Sequence, residues 1–170
     1  NEEERNCYRF ANPANPDYPK QLELFCKEPD IIDVNYGAHL TPIPVEEGLS
    51  SMSAILLDEN YYNYTIKHSE VKEGVHYATP QTLICLKAFA FLNNTERKAA
   101  GQTVRSVDIK KHKNDVFRMV MMLNENDRFD LPDTIKVDMQ KFVDTIKNDL
   151  PSADTLASNG FGNQDMNQIF

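Results

Sequence analysis

The segment that most constrains this chain is Leu83-Ile-Cys-Leu-Lys87-Ala-Phe-Ala-Phe-Leu92, ten residues in which one lysine interrupts an otherwise apolar run. An unpaired ammonium costs several kcal/mol to desolvate. Lys87 therefore needs a fixed anionic partner, or must lie at the edge of the core with its head in water. The preceding Thr79-Pro80 supplies a cap and a first helical residue, so the spacing predicts a helix from Pro80 to about Asn93. Leu83, Lys87 and Ala90 then share one helical stripe.

Around this helix the pattern divides into strands first and helices last. Cys7 to Phe10 and Gln21 to Lys27 read as strands joined by the proline-rich Asn12 to Pro19, a hairpin with a long loop. Ala38 to Val45 reads as extended, with Pro42 and Pro44 confining it to a sheet edge. Met52 to Leu57 is a further strand. Asp58 then precedes a short helix packed through Tyr61, Tyr62, Tyr64 and Ile66, and Val75 to Ala78 is a short extended piece. Another helical pattern begins at Ser106, with Ile109, Val116, Val120 and Leu123 on one stripe. A last one follows Pro132, with Ile135, Met139, Phe142, Val143 and Ile146, and stops before Pro151. This order predicts an α+β domain over residues 1–151, with a small mixed or antiparallel sheet in 5–78 and a helical part in 79–151. Residues 152–170, rich in Asn, Gly, Ser and Asp, read as a flexible tail.

At 170 residues, 41% of them hydrophobic and 26% charged, the chain is long enough for one sizeable core. A formal net charge of −8 argues against a surface dedicated to long nucleic acid. One basic zone stands out, with Arg97, Lys98, Arg105, Lys110, Lys111 and Lys113 set against Asp108 alone. Three widely spaced cysteines, Cys7, Cys26 and Cys85, form no Cys-x-x-Cys pair and read as reduced, packed thiols. No apolar run is long enough to span a bilayer, so the expected setting is cytoplasmic with no membrane partner. The polar start at Asn1 reads as a beginning inside a longer parent.

Three groups are candidates for chemistry. Glu23 lies mid-strand, opposite Leu22 and Leu24, either as a solvated acid or as a carboxylate aimed from a sheet at a metal or hydroxyl. Lys87 is either a snorkelling or ion-paired lysine or a phosphate contact. Asp108, Lys111, Asp115 and Arg118 recur at three- and four-residue spacing, which suits a solvated charge ladder as well as a site. His39, His68, His76 and His112 share no metal-ligand spacing.

The succession Pro19-Lys-Gln-Leu-Glu23-Leu-Phe, then Pro80-Gln-Thr-Leu-Ile-Cys-Leu-Lys87-Ala, Arg97-Lys98 and Lys113-Asn-Asp115-Val-Phe-Arg118 resembles the nucleotidyltransferase-like AbiEii/AbiGii toxin family, of the polymerase-β-type nucleotidyltransferase superfamily. The resemblance implies transfer of a nucleoside monophosphate from a nucleoside triphosphate (NTP), with Mg²⁺, to an RNA (tRNA) or protein hydroxyl. It implies Glu23 as the third metal carboxylate, Lys87 facing the nucleotide phosphates, and Asp115 orienting Lys87 or substrate. Arg97, Lys98 and Lys113 follow as phosphate or RNA contacts. The family's Gly-Ser turn with paired acids does not precede Glu23, so the expectation is a carboxy-terminal portion or degenerate form, inactive as this chain alone. Expected partners are a cognate antitoxin in a toxin-antitoxin or phage-defence system, or a second copy paired through an exposed sheet edge. The alternative is a non-catalytic interaction module of such a system.

Overall fold

The computed structural model describes residues 9–27, 40–43 and 52–150. The expected first half of the opening strand, the prolines beyond Ile43, Cys7, His39 and the tail lie outside them. The chain is α+β, with four helices and three small sheets among the described residues, and it divides into two compact units, Asn1–Asn63 and Tyr64–Phe170. The division falls inside a helix rather than between a sheet part and a helical part.

In the first unit, β1 (Arg9–Ala11) and β2 (Gln21–Glu23) form the antiparallel hairpin that the proline-rich loop predicts, with Phe10 opposite Leu22. The expected strand from Gln21 to Lys27 is broken at Leu24. Its second part, β3 (Phe25–Lys27), leaves the hairpin and pairs parallel with β5 (Met52–Leu57) in a different sheet. A continuous alternating pattern thus serves two sheets, because alternation fixes which face a residue takes and not which neighbour it finds. Antiparallel to the other side of β5 runs β4 (Leu40–Ile43), an edge strand as Pro42 requires. Lys27 on β3 donates to Glu59 at 2.9 Å.

Helix α1 (Glu59–Lys67) begins where Asp58 caps it, its Oδ1 accepting from the main-chain N–H of Asn60 at 2.9 Å and of Tyr61 at 3.1 Å. Tyr61, Tyr64 and Thr65 are buried, whereas Ile66, expected on the packed side, is exposed. The buried set follows a three- and four-residue spacing, and Ile66 falls off that stripe.

The second unit opens on a hairpin that the sequence pattern supplies only in half. β6 (Ser69–Lys72) pairs with β7 (Val75–Ala78) across Glu73-Gly74, both at positive φ, 54° and 80°. That is the type I′ geometry matching strand twist, and Gly74 adopts it without steric cost.

Three helices follow: α2 (Pro80–Ala99), α3 (Ser106–Val120) and α4 (Asp133–Ile146). The first outruns its expected end near Asn93, since nothing in Asn93 to Lys98 breaks a helix. It stops at Gly101, at φ 82°, where Gln102 N–H donates to Arg97 O and Gly101 N–H to Lys98 O, both at 3.0 Å. That is a Schellman ending. At the other end Thr79 sits at the cap position, but its hydroxyl donates to His68 O at 2.9 Å instead of capping the helix.

Ile84, Ala88 and Phe91 of α2 pack against Val116 and Phe117 of α3 and against Phe142 and Ile146 of α4. Phe91 and Phe142 meet edge to face, with ring centroids 5.3 Å apart. Of the stripe expected on α3, Val116 is buried, and Ile109, Val120 and Leu123 are partly buried against the same cluster. On α4, Ile135, Phe142 and Ile146 are buried and Val143 is exposed.

Candidate functional site

Lys87 on α2 and His112 on α3 lie close enough for the charge of the one to act on the other. Lys87 is half-buried on α2, and among the described residues its ammonium has no carboxylate at ion-pair distance. It reaches the rim of the core, as a long charged side chain inside an apolar run must do when no counter-ion is built beside it.

His112, on α3, is also half-buried, and its Nδ1 is fully buried with no hydrogen-bond partner among the described residues. Burial holds this imidazole below its ordinary pKa. Next in effect is the Lys87 ammonium, which also lowers it; Asp115 then raises it, Lys111 lowers it and Asp108 raises it. Four charged groups from two helices thus act on the ring electrostatically.

Those two acids already have cationic partners. Arg118 Nη1 donates to Asp115 Oδ1 at 3.0 Å, and Arg105 holds both oxygens of Asp108 at 2.8 Å. The Arg105 guanidinium keeps the Asp108 carboxyl below the usual carboxylate range. Asp115 is accordingly paired with Arg118 rather than with Lys87, and the charge ladder on α3 closes through Arg105 rather than through Lys111. Around His112 this leaves Lys87 and Lys111 as the cations not matched by a nearby carboxylate of their own.

The other expected phosphate contacts turn inward or along the chain. Lys113 is buried, and its Nζ donates to Asp149 O at 2.7 Å and to Asp149 Oδ2 at 2.5 Å. Arg97 Nε donates to Gln102 Oε1 at 2.8 Å, and Lys98 donates to Ser106 Oγ, so both brace the turn between α2 and α3. Lys113 is therefore a core cross-link and not an exposed phosphate donor. Helical spacing carries that signal, since Lys113 lies four residues from Ile109 and three and four from Val116 and Phe117.

Glu23 lies in the first unit, where its Oε1 accepts from Gln21 Nε2 at 2.9 Å. No three His, Cys, Asp or Glu side chains converge on a common point among the described residues. A divalent magnesium ion needs an octahedral set of oxygen ligands, and the described residues do not furnish one at Glu23. No helix among them is long and apolar enough to cross a membrane.

A second polar pair joins Ser69 and His76 across the β6–β7 hairpin, Oγ to Nδ1 at 3.0 Å. It is not an activated nucleophile: the Ser69 hydroxyl donates to Ile66 O at 2.8 Å, leaving the imidazole to donate to the hydroxyl. The buried thiol of Cys85 is pushed by desolvation up to about 11 and the Tyr64 phenol to about 12, which leaves both protonated and unreactive.

No protein-family model, curated protein or solved structure matches the chain.

Proposed function

We propose that this chain is a portion or degenerate form of a toxin-type nucleotidyltransferase, one whose helical unit receives the phosphates of a nucleoside triphosphate without completing transfer on its own. The observation that carries this reading is the Lys87 ammonium, half-buried on α2 with no described carboxylate at ion-pair distance. A nucleotide phosphate is the anion such a lysine is suited to meet. In the complete reaction the acceptor is an RNA (tRNA) or protein hydroxyl, and Glu23 contributes the third carboxylate by resemblance. Asp115 acts through Arg118 and the neighbouring ring rather than by holding Lys87 directly. No step is assigned to Mg²⁺, because the described residues do not form its site. The setting is cytoplasmic, with a cognate antitoxin as protein partner and the edge of a sheet as the surface for a second copy.

The test is binding followed by transfer. The chain incubated with a labelled nucleoside triphosphate should gain thermal stability and incorporate no label, and Lys87→Gln should lose the gain. Unchanged melting at millimolar nucleotide in the unmodified chain would remove this reading.

A second reading is a non-catalytic interaction module of a toxin-antitoxin or phage-defence system. It is favoured by Lys113, Arg97 and Lys98, all of which hold the helical unit together instead of facing a ligand. A chain indifferent to nucleotide that co-elutes with the product of the adjacent gene would be this module.

A further inference from the structure

We infer that the outer edge of β6 pairs antiparallel with the same edge of a second copy of this chain, with Val71 on the two-fold axis and Glu70 of each copy opposite Lys72 of the other. This rests on the reading above only where that reading gives a sheet edge to a second copy, and it requires no nucleotide.

The β6–β7 hairpin is a sheet of two strands, and among the described residues neither strand has another neighbour. Every residue from Glu70 to Tyr77 is exposed, Val71 at 58% and Val75 at 65%. A hairpin open on both faces is marginally stable alone and carries a row of unpaired main-chain groups along each edge. The turn determines which groups those are. The two-residue loop Glu73-Gly74 makes Lys72 and Val75 a hydrogen-bonded pair, and the alternation of an antiparallel ladder then makes Val71 and His76 a non-hydrogen-bonded one. Val71 therefore points its N–H and C=O away from β7, toward the open edge.

Charge fixes the register of what pairs there. Two copies related by a two-fold axis through Val71 exchange both main-chain hydrogen bonds between their Val71 residues. Glu70 of each copy then faces Lys72 of the other at non-hydrogen-bonded positions, where side chains lie closest. Moving the axis to Glu70 sets two glutamates opposite each other, and moving it to Lys72 sets two lysines, both repulsive. The charges that guard this edge against other strands thus suit a second β6 in one register. Both side chains are available for it. The Tyr77 hydroxyl donates to Glu70 Oε2 and leaves Oε1, and Lys72 has no carboxylate at ion-pair distance among the described residues. The other edge, β7, reads Val-His-Tyr-Ala and holds no acid–base pair to select a register. Four residues per copy fall well short of the ~20–30 a side of a standard interface, so the dimer is weak and depends on concentration.

The experiment is analytical ultracentrifugation of the full chain over a wide range of concentration, with two charge reversals. The unmodified chain should pass from monomer to dimer as concentration rises. Glu70→Lys and Lys72→Glu should each weaken dimerisation roughly tenfold or more, because the two-fold axis repeats the new repulsion twice. Mixing the two variants should restore a dimer, since each then presents to the other the charge that the other lacks. That rescue also shows both variants to be folded. A chain that stays monomeric at every concentration, or a dimer indifferent to both substitutions, overturns the interface. Melting with a nucleoside triphosphate is read separately. Stabilisation of a chain that never dimerises removes the interface and leaves the nucleotide reading, whereas a dimer that obeys the charge exchange with no response to nucleotide keeps the interface and removes that reading.

Discussion

Lys113 reaches from the buried face of α3 to Asp149, beyond the end of α4, and donates to both its main-chain carbonyl and its carboxylate. The lysine is enclosed while the aspartate is largely exposed, 8% against 77% for their side chains. The two ends of this contact are therefore not equivalent. Lys113→Ala removes the buried stem and both charge-assisted bonds and should lower stability by about 2–3 kcal/mol. Asp149→Ala leaves the carbonyl to satisfy the ammonium and should cost only about 1 kcal/mol. Urea unfolding of both variants measures the asymmetry, and equal losses would mean that the carboxylate does most of the holding.

The Glu73-Gly74 turn gives an opposed pair of effects. At Gly74 nothing lies within 4 Å of an added Cβ, so Gly74→Ala should cost about 1 kcal/mol through its φ of 80° and not through a clash. Glu73→Asn, at φ 54°, should stabilise by a few tenths of a kcal/mol, since asparagine tolerates the left-handed region. Thermal melts of the two variants should move in opposite directions.

His112 makes stability depend on pH. Its folded pKa lies below the ordinary 6.5, first because of burial and then because of Lys87. Below 6.5 the unfolded chain takes up a proton that the folded chain resists. The contribution of the neutral ring is thus complete above 6.5, declines as pH falls toward the folded value, and is flat beneath it. Melting temperatures of wild type and His112→Gln between pH 5 and 8 should diverge most at the high end of that range and converge toward the low end.

Cys85 should be chemically silent. With a pKa of about 11 and 3% exposure, it is almost wholly thiol at pH 8 and shielded from reagent. Iodoacetamide labelling followed by peptide mass mapping should mark Cys85 only once denaturant unfolds the chain. Rapid modification of the folded chain would show that α2 opens readily at that point.

Periodicity alone makes the helices and β5 legible in the sequence, because Met52 to Leu57, the stripe on α3 and the start after Pro132 are local patterns. Three features escape it for definite reasons. β6 reads Ser-Glu-Val-Lys, with one apolar residue in four, and its strand state rests on its partner and on a glutamate at positive φ. The end of α2 lies in Gly101, whereas the polar run before it resembles a loop. His112 carries no sequence signal, for its lowered pKa comes from burial and from the charge of Lys87 on another helix. Lys113 is a different case: composition places it in the basic zone, while its spacing from Ile109 and Phe117 places it on the buried stripe.

The parallel ladder of β3 on β5 matches Phe25 with Ile55, thirty residues further along the chain. It is three pairs long, and its loop must close before any of those pairs forms. The β6–β7 hairpin and the contact between successive α2 and α3 need no such wait, so the second unit is the natural seat of the folding nucleus and β3 is recruited late. An emerging polypeptide would therefore hold β3 in reserve until β5 has been synthesised, while the β1–β2 hairpin can close at once.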